Sequence, residues 1–156
     1  MAERTYRQAV YADLDWLVHT ENHCFSQDDA FTRRTMQRMI KNTNHSVVFD
    51  ILVAAEKPIG YALFLTRRNS LLIRLYSICL LPAYRGQGLV ESYLQERIPS
   101  FAKNYEKMGL EVRLNNTSAL SLYLRLGFTT KKILPGYYHQ GQGRADGYRM
   151  LKMLST

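Results

Sequence analysis

A glycine-bearing turn between an apolar run and a helical pattern is the segment best suited to bind a ligand. It reads L-L-P-A-Y-R-G-Q-G-L-V-E-S-Y from Leu80 to Tyr93. Gly86 and Gly88 let the backbone turn sharply, and the first amides of the following helix have no intrahelical acceptor. Such amides, at the positive end of a helix dipole, bind phosphate. The segment therefore predicts a phosphate-bearing ligand, although a tight strand-to-helix connection is the commoner cause of such a pattern.

Two side chains further along are suited to proton transfer. Glu111 is the one carboxylate of an extended segment and alternates with Leu110 and Val112, so it points away from the face that they bury. Tyr123 lies between leucines in a short helical pattern. Each has a simpler interpretation, in which Glu111 pairs with Arg113 on an exposed face and Tyr123 packs with its hydroxyl toward water. The residue pattern alone favours these simpler interpretations.

The first half of the chain predicts one strand, two helices and three further strands. The first strand covers Thr5 to Ala9, and the helix after it has Asp13 as a cap. The second helix runs from about Thr32 to Lys41. Three extended segments follow at Val47 to Ala55, Ile59 to Thr66 and Leu71 to Leu80. Their turns predict an antiparallel meander.

The second half predicts two helices and three strands. The helix after the glycine turn contains Pro99, which is expected to kink or end it near Arg97. A strand from Met108 to Leu114 then precedes a helix from about Ala119 to Leu126, stopped by Gly127. The last strands are predicted at Phe128 to Leu134 and Gly147 to Leu154. The whole order is β-α-α-β-β-β-α-β-α-β-β.

Length and composition indicate a single folded domain over residues 1–156. The chain is 46% hydrophobic, enough for a real core. Its start has no apolar leader pattern, and the longest apolar run, Leu71 to Leu81, is interrupted by Arg74 and is shorter than the roughly 20 residues that span a bilayer. We therefore expect a cytoplasmic protein without a membrane segment. Cys24 and Cys79 lack the spacing of a metal site or a disulfide framework.

The formal charge of +8 leaves several anionic partners open. A basic surface attracts nucleic acid, anionic cofactors and acidic peptides through the same long-range field. The basic residues lie in short groups, without a dense run of five or more. Nucleic-acid binding is thus possible but has no motif in its support. The sequence does not indicate an oligomeric state.

Three segments of the C-terminal half carry a family resemblance. They are R-G-Q-G-L-V from Arg85 to Val90, L-E-V-R-L-N-N from Leu110 to Asn116, and A-L-S-L-Y-L-R-L-G-F from Ala119 to Phe128. Together they resemble the GNAT-superfamily N-acetyltransferases, and among these the bacterial ribosomal-protein-alanine N-acetyltransferase group, which acetylates protein N-termini. The resemblance implies the GNAT fold of the α/β (α+β) class, a mixed, mostly antiparallel sheet of about seven strands flanked by about four helices.

The resemblance also implies acetyl coenzyme A as co-substrate, and no metal. In the superfamily the glycine loop holds the pyrophosphate, while backbone groups of the preceding strand bind the pantetheine arm and polarise the acetyl carbonyl. The implied cofactor-binding residues are Ile78, Cys79, Leu80, Arg85, Gly86, Gln87, Gly88, Leu89, Val90 and Asn116. Asn116 also has the simpler interpretation of a helix cap.

The implied reaction is direct transfer of an acetyl group to a primary amine. The amine must lose a proton and the departing thiolate leaves best when protonated, so the resemblance implies Glu111 as general base and Tyr123 as general acid. An ordinary glutamate is a weak base for an ammonium, so Glu111 would act directly or through water. Cys79 as a covalent nucleophile would need a positioned base, and no histidine lies near it in sequence.

The favoured acceptor is a protein N-terminal amine. Tyr137 and Tyr138, in a segment similar to the superfamily's tyrosine-bearing hairpin, are candidates for acceptor binding, although aromatic residues at a strand end are often only packing. His139 is expected in a solvated loop. The alternatives are a small amine such as a polyamine or an antibiotic, or a non-catalytic protein that binds coenzyme A, RNA or the ribosome.

Overall fold

The computed structural model describes residues 4–25, 30–141 and 143–154. The strands are β1 (Arg4–Gln8), β2 (Val47–Ala54), β3 (Lys57–Thr66), β4 (Leu72–Leu80), β5 (Lys107–Arg113), β6 (Thr129–Gln140) and β7 (Gly143–Met153). The α-helices are α1 (Leu14–Cys24), α2 (Arg33–Lys41), α3 (Leu89–Ser100) and α4 (Thr117–Arg125). Short 3-10 turns lie at Tyr11–Asp13, Pro82–Tyr84 and Phe101–Lys103. The predicted order of strands and α-helices is confirmed.

All seven strands of the described residues belong to one sheet with the order β1-β2-β3-β4-β5-β7-β6. The pairs β1–β2, β2–β3, β5–β7 and β6–β7 are antiparallel, whereas β4–β5 is parallel. The predicted α/β class with a mixed, mostly antiparallel sheet is therefore confirmed. The parallel ladder runs from Leu72–Lys107 to Leu75–Leu110, while β4 continues to Leu80 and β5 to Arg113.

The chain divides into two compact units, which we describe separately. The first comprises Met1–Arg68 and Tyr76–Leu89, and the second comprises Asn69–Leu75 and Val90–Thr156. In the first unit the apolar sides of α1 and α2 and the strands β2 and β3 form a core that includes Leu17, Met36, Phe49, Ile51, Tyr61 and Leu63. Burial of these side chains is the main force that stabilises this unit.

The core of the second unit is centred on β5. Leu110 and Val112 are buried, and so are Phe128 after α4 and Met150 of β7. Because successive side chains of a strand point to opposite faces, burial of Leu110 and Val112 places Glu111 on the other face. The predicted orientation of Glu111 is thus confirmed.

Helix α3 continues past the position where Pro99 was expected to end it. It extends to Ser100 with Pro99 inside its last turn, and the 3-10 turn Phe101–Lys103 follows directly. A proline so close to the C-terminal end removes only one backbone donor. The prediction that the helix ends near Arg97 is wrong.

Two other predictions hold only in part. Asp13 is the N-cap residue of α1, as predicted, but its side chain makes no capping hydrogen bond there. Its carboxylate accepts instead from the Val10 amide at 2.8 Å and from the Arg7 guanidinium at 2.8 and 2.9 Å. The last two strands are longer than predicted, since β6 reaches Gln140 and β7 begins at Gly143. Register shifts in the β6–β7 ladder, one of them between Leu134 and Tyr138, accommodate Pro135 and Gly136, which lie beyond the predicted end of the strand.

Candidate active site

The loop between β4 and α3 has the backbone conformation that its glycines predict. Gly86 has φ of 78° and Gly88 has φ of 74°, in the left-handed region that side chains disfavour. A Cβ atom built at either glycine would meet no atom within 4 Å. The glycines are therefore needed for their conformation, and the space beside them is open. Helix α3 begins at Leu89, so its unsatisfied first-turn amides come directly after the loop.

The Arg85 side chain turns back onto the end of β4. Its Nε donates to the Leu80 carbonyl at 3.0 Å, and its Nη2 lies 3.4 Å from the Cys24 sulfur. The guanidinium thus joins the loop to β4 and to the end of α1. This contact is one that the sequence did not predict for Arg85.

The end of β4 packs closely against β3 through Gly60. A Cβ atom at Gly60 would collide with the carbonyl oxygen of Cys79 and approach the Leu80 side chain to 2.9 Å. The Leu81 amide also donates to the Ile59 carbonyl at 2.8 Å. Glycine at position 60 therefore fixes the backbone of Cys79 and Leu80, whereas Ile78 is half-buried just before them.

Cys79 is poorly suited to nucleophilic chemistry. Cys24 and Cys79 are both free thiols, and Cys79 is buried. Burial is the main cause that raises the pKa of the Cys79 thiol well above its ordinary value, with Cys24 and Glu21 adding to the effect. A thiol that stays protonated is a weak nucleophile.

Glu21 is a buried carboxylate in the first unit that sequence analysis did not single out. Its side chain accepts hydrogen bonds from the Tyr61 hydroxyl and, at 3.1 Å, from the Phe31 amide. The residue is only 1% exposed, and burial raises the pKa of Glu21 to about 7, against the opposing effect of the Phe31 amide. Its position in α1, at helical spacing from the buried Leu14 and Leu17, was the available signal.

Glu111 is held by two arginines of neighbouring strands. Arg74 Nη2 lies 2.7 Å from Glu111 Oε1, and Arg149 Nη2 lies 3.8 Å from the same oxygen. The strand registers explain this, because Arg149 is directly opposite Glu111 and Arg74 is opposite Gly109, two residues earlier on the same face. The simpler interpretation from the sequence named Arg113 as the partner, whereas the structure places Arg74 and Arg149 against this oxygen.

The second carboxylate oxygen of Glu111 differs from the first in its surroundings. Oε2 is buried and has no hydrogen-bond partner among the described residues. The Glu111 side chain is 12% exposed, so this oxygen lies in a largely dry environment. A buried acceptor without a partner is costly for stability and is typical of functional sites.

Tyr137 and Tyr138 of β6 lie beside Glu111. Their rings are 5.0 Å apart in an edge arrangement. Hydrogen bonding to the Glu111 side chain is the main cause that raises the pKa of Tyr137, with burial adding to it, while Arg74 and Arg149 oppose it. Burial raises the pKa of Tyr138 to about 12, and Glu111 contributes to that shift. The structure thus brings both candidate acceptor-binding tyrosines to the predicted base.

Tyr138 is held in place from both sides. The Arg113 guanidinium lies 4.6 Å from its ring centre, a cation–π contact, and Arg113 Nη1 donates to the His139 carbonyl at 3.1 Å. A Cβ atom at Gly147 would lie 2.5 Å from the Tyr138 ring. His139 belongs to β6 rather than to a loop, and its exposed ring lies 3.4 Å from Arg144.

Tyr123 is buried in α4, with 7% of its surface exposed. Its ring packs edge-on against Phe128 at 5.8 Å between centres. Burial raises the pKa of Tyr123 to about 12, so the phenol stays protonated throughout the neutral range. Tyr123 also makes a small contribution to the raised pKa of Tyr138, so the two phenols interact electrostatically.

Asn116 acts as the N-cap of α4, since its Oδ1 accepts from the Ala119 amide at 3.2 Å. The simpler interpretation of Asn116 is thus confirmed, and its contact with a cofactor stays a prediction. Val90 is half-buried in the first turn of α3, and Gln87 is exposed with its amide 3.4 Å from the Ala83 carbonyl. No group of three or more potential metal ligands occurs among the described residues.

Comparison with known proteins decides the family. The model of the acetyltransferase (GNAT) family matches residues 11–128. The chain belongs to the acetyltransferase (GNAT) family. The family resemblance inferred from the three C-terminal segments is therefore confirmed.

Sequence relatives within the GNAT family cover part of the chain. The chain is 38% identical over 80 residues to an N-alpha-acetyltransferase of Saccharolobus solfataricus. The aligned segment covers 50% of this chain and 46% of that protein. The chain is 35% identical over 82 residues to the ribosomal protein bS18-alanine N-acetyltransferase of Escherichia coli, in an alignment that covers 52% of this chain and 55% of that protein. The chain thus spans about half the length of the curated relatives that it matches.

The GNAT fold extends over nearly the whole chain. The crystal structure of the ribosomal-protein-S18-alanine N-acetyltransferase from Escherichia coli superposes with a TM-score of 0.86, at 24% identity, over 99% of this chain and 96% of that chain. No helix of the described residues of this GNAT chain is long and apolar enough to cross a membrane.

Sequence analysis missed two residues of the GNAT chain that contact Glu111. Arg74 was noted only because it interrupts an apolar run, and Arg149 was not considered. A lone arginine in an otherwise apolar strand was the available signal for Arg74, since a buried strand tolerates such a charge only beside a partner. The partner could not be deduced without the β4–β5 and β5–β7 registers.

Proposed function

We propose that this chain transfers the acetyl group of acetyl coenzyme A to a primary amine, and that the favoured acceptor is a protein N-terminal amine. The observation that carries the proposal is the state of Glu111, in a chain of the GNAT family. Its Oε2 is buried, has no hydrogen-bond partner among the residues that the structure describes, and lies beside two tyrosines. The names of the sequence relatives, an N-alpha-acetyltransferase and a ribosomal-protein-alanine N-acetyltransferase, support the choice of acceptor. Residues 1–156 would act as one acetyltransferase domain.

The glycine loop and the end of β4 are proposed to bind the coenzyme. The left-handed conformations of Gly86 and Gly88 and the open space beside them fit a backbone that contacts a pyrophosphate. The proposed binding residues are Ile78, Cys79, Leu80, Arg85, Gly86, Gln87, Gly88, Leu89, Val90 and Asn116. For Arg85, the contact with Leu80 supports a role in holding the loop rather than a side-chain contact with phosphate. When bound, acetyl coenzyme A supplies the acetyl group as a thioester.

Glu111 is proposed to accept the proton of the acceptor amine. Arg74 holds Oε1, and the free lone pairs of Oε2 are then available to the amine or to a water molecule that relays the proton. Tyr137 and Tyr138 are proposed to form the acceptor-binding surface, because both lie beside Glu111.

Tyr123 is proposed to donate its hydroxyl proton toward the departing sulfur. A phenol with a pKa of about 12 remains protonated throughout the neutral range. An ordinary thiol has a pKa of about 8.5, so complete transfer from Tyr123 is uphill. Its contribution is then a hydrogen bond that stabilises developing negative charge, the same effect by which oxyanion-hole donors act.

The experiment is a thiol-release assay with acetyl coenzyme A, a panel of peptides with free N-termini and a panel of small amines. We expect turnover of peptides and a large loss in Tyr123→Phe, with coenzyme affinity retained in the variant. Turnover of small amines alone would refute the protein-acceptor proposal. Binding of coenzyme A without thiol release from any acceptor would refute the enzymatic proposal and favour a non-catalytic binder.

A further inference from the structure

Arginine side chains lie beside the carboxylate proposed as the base. Arg74 and Arg149 both lie against Oε1 of Glu111, at 2.7 and 3.8 Å. Arg113 lies over the ring of Tyr138, 4.6 Å from its centre. We call Arg74, Arg113 and Arg149 the arginine cluster. Two of its guanidinium groups thus face one carboxylate oxygen, and the third lies on the neighbouring tyrosine.

Arg149 is the member of the cluster best placed to meet an acceptor. Its side chain is 49% exposed, and its distance of 3.8 Å from Glu111 exceeds hydrogen-bond length. Within the described part of the chain, no hydrogen bond from its guanidinium is recorded, so its planar set of donors is available. Such a set matches a carboxylate with two parallel hydrogen bonds.

The charge of Arg149 also acts on Tyr137, which is proposed to bind the acceptor. Glu111 raises the pKa of Tyr137, and Arg149 and Arg74 lower it, so all three charges act on the Tyr137 hydroxyl. Arg149 is directly opposite Glu111 in the β5–β7 ladder, which fixes its distance from the proposed base. If the N-terminal amine of a peptide lies at Glu111, the group that contacts Arg149 therefore belongs to one of the first few residues of that peptide.

We infer that the preferred acceptor carries a carboxylate close to the reacting amine and that Arg149 binds it. For a peptide, this means an aspartate or glutamate within its first three residues. The inference rests on the proposed function and specifies its substrate class. A polyamine or a lysine-rich N-terminus is disfavoured, because its further cations approach the arginine cluster. Nearby cations also disfavour the ammonium form of the acceptor, which helps it lose its proton.

The test compares peptides that differ at the second residue alone, as Ala-Asp, Ala-Asn and Ala-Lys, with spermidine as a further acceptor. For the wild-type chain we expect kcat/KM for Ala-Asp to exceed that for Ala-Asn by about threefold to tenfold, with Ala-Lys and spermidine lower. Arg149→Gln should bring the Asp-to-Asn ratio close to one, and Arg149→Glu should reverse the preference toward Ala-Lys. Arg125→Gln is the matched control, because Arg125 is an exposed residue of α4 that pairs with Glu91, and it should keep the wild-type ratio.

The outcomes separate this inference from the function on which it rests. Equal turnover of the Asp and Asn peptides by wild type, or an unchanged ratio in Arg149→Gln, would overturn the inference and leave peptide acetylation standing. Turnover of none of the peptides would overturn both. If added salt reduces the Asp-to-Asn ratio in wild type, the electrostatic origin of the preference is supported.

Discussion

Arg74 and Glu111 form an ion pair that makes the two oxygens of one carboxylate unequal. Arg74 Nη2 approaches Oε1 to 2.7 Å, whereas Oε2 is buried without a partner in the described part of the chain. The pair depends on the β4–β5 ladder, in which Arg74 stands opposite Gly109. Because residues 109 and 111 of β5 point to the same face, this register places the Arg74 side chain on the face of Glu111.

Arg74→Gln is expected to reduce acetyl transfer without weakening coenzyme binding. Glutamine cannot supply the charge-assisted hydrogen bond that holds Oε1, and such bonds contribute about 1.5 to 3 kcal/mol. We expect kcat/KM to fall by about tenfold or more, because the bond that orients the Glu111 carboxylate is lost. Steady-state kinetics, with calorimetric titration of coenzyme A, would measure both quantities.

Arg74→Lys and Arg125→Gln separate positioning from a general loss of charge. Lysine keeps the cation and should restore part of the activity, whereas Arg125→Gln should leave kcat/KM unchanged. Wild-type kcat/KM in Arg74→Gln would refute a positioning role for Arg74.

Gly147→Ala is expected to weaken acceptor binding by moving the Tyr138 ring. The added methyl group would lie 2.5 Å from the Tyr138 ring and 3.0 Å from the Val112 carbonyl, so the tyrosine must shift. Overpacking of this kind costs about 1 to 3 kcal/mol of stability. We expect the acceptor KM to rise severalfold while coenzyme affinity is retained.

Gly143→Ala is the matched control for Gly147, since it lies in the same strand and its nearest neighbour would be 3.6 Å away. It should leave both the KM of the acceptor and the melting temperature near their wild-type values. An unchanged acceptor KM in Gly147→Ala, in a protein whose melting temperature has fallen, would show that Tyr138 is only a packing residue.

Glu21 is expected to make the first unit less stable as the pH rises. Its folded-state pKa of about 7 lies above its ordinary value of 4.5, so its contribution is fully present below about pH 4.5 and is lost as the pH approaches 7. That difference corresponds to about 3 kcal/mol in the free energy of unfolding. Denaturant unfolding from pH 4.5 to 8 should show this loss in wild type.

Glu21→Gln should remove this pH dependence, because a neutral amide can still accept from Phe31 and bond to Tyr61. The difference between variant and wild type isolates Glu21 from other groups that titrate in the same range. Glu96→Gln, exposed on α3, serves as the control and should follow wild type. Identical pH dependence of wild type and Glu21→Gln would contradict the buried-carboxylate assignment.

The fold was largely predictable because its signals are local. Hydrophobic periodicity, the change from helical to extended patterns, and caps such as Asn116 fix each element within a few residues. The errors arose where proline and glycine, which usually end a helix or strand, lie at positions where the structure tolerates them. Pro99 is tolerated because it lies in the last turn of α3, and the β6–β7 hairpin absorbs Pro135 and Gly136 in a shifted register.

The candidate site was predictable only in part. Its glycine loop and the orientation of Glu111 follow from local sequence, whereas the partners of Glu111 depend on strands that are far apart in sequence. Arg74 and Glu111 are brought together by a parallel ladder, and Arg149 by a hairpin register that sequence spacing does not determine. Burial of Glu21 likewise depends on Tyr61 of β3, whose approach to α1 is a tertiary contact.

The most direct measurement is the turnover of Glu111→Gln with a peptide acceptor at saturating acetyl coenzyme A. Glutamine keeps the size of the side chain but cannot accept the amine proton as a carboxylate does, and general bases contribute about 100-fold to 10,000-fold in rate. We predict a fall in kcat of at least about 100-fold at neutral pH, with the dissociation constant of coenzyme A unchanged. Turnover within a few-fold of wild type would contradict the account, because Glu111 would then be a structural partner of Arg74 rather than the base.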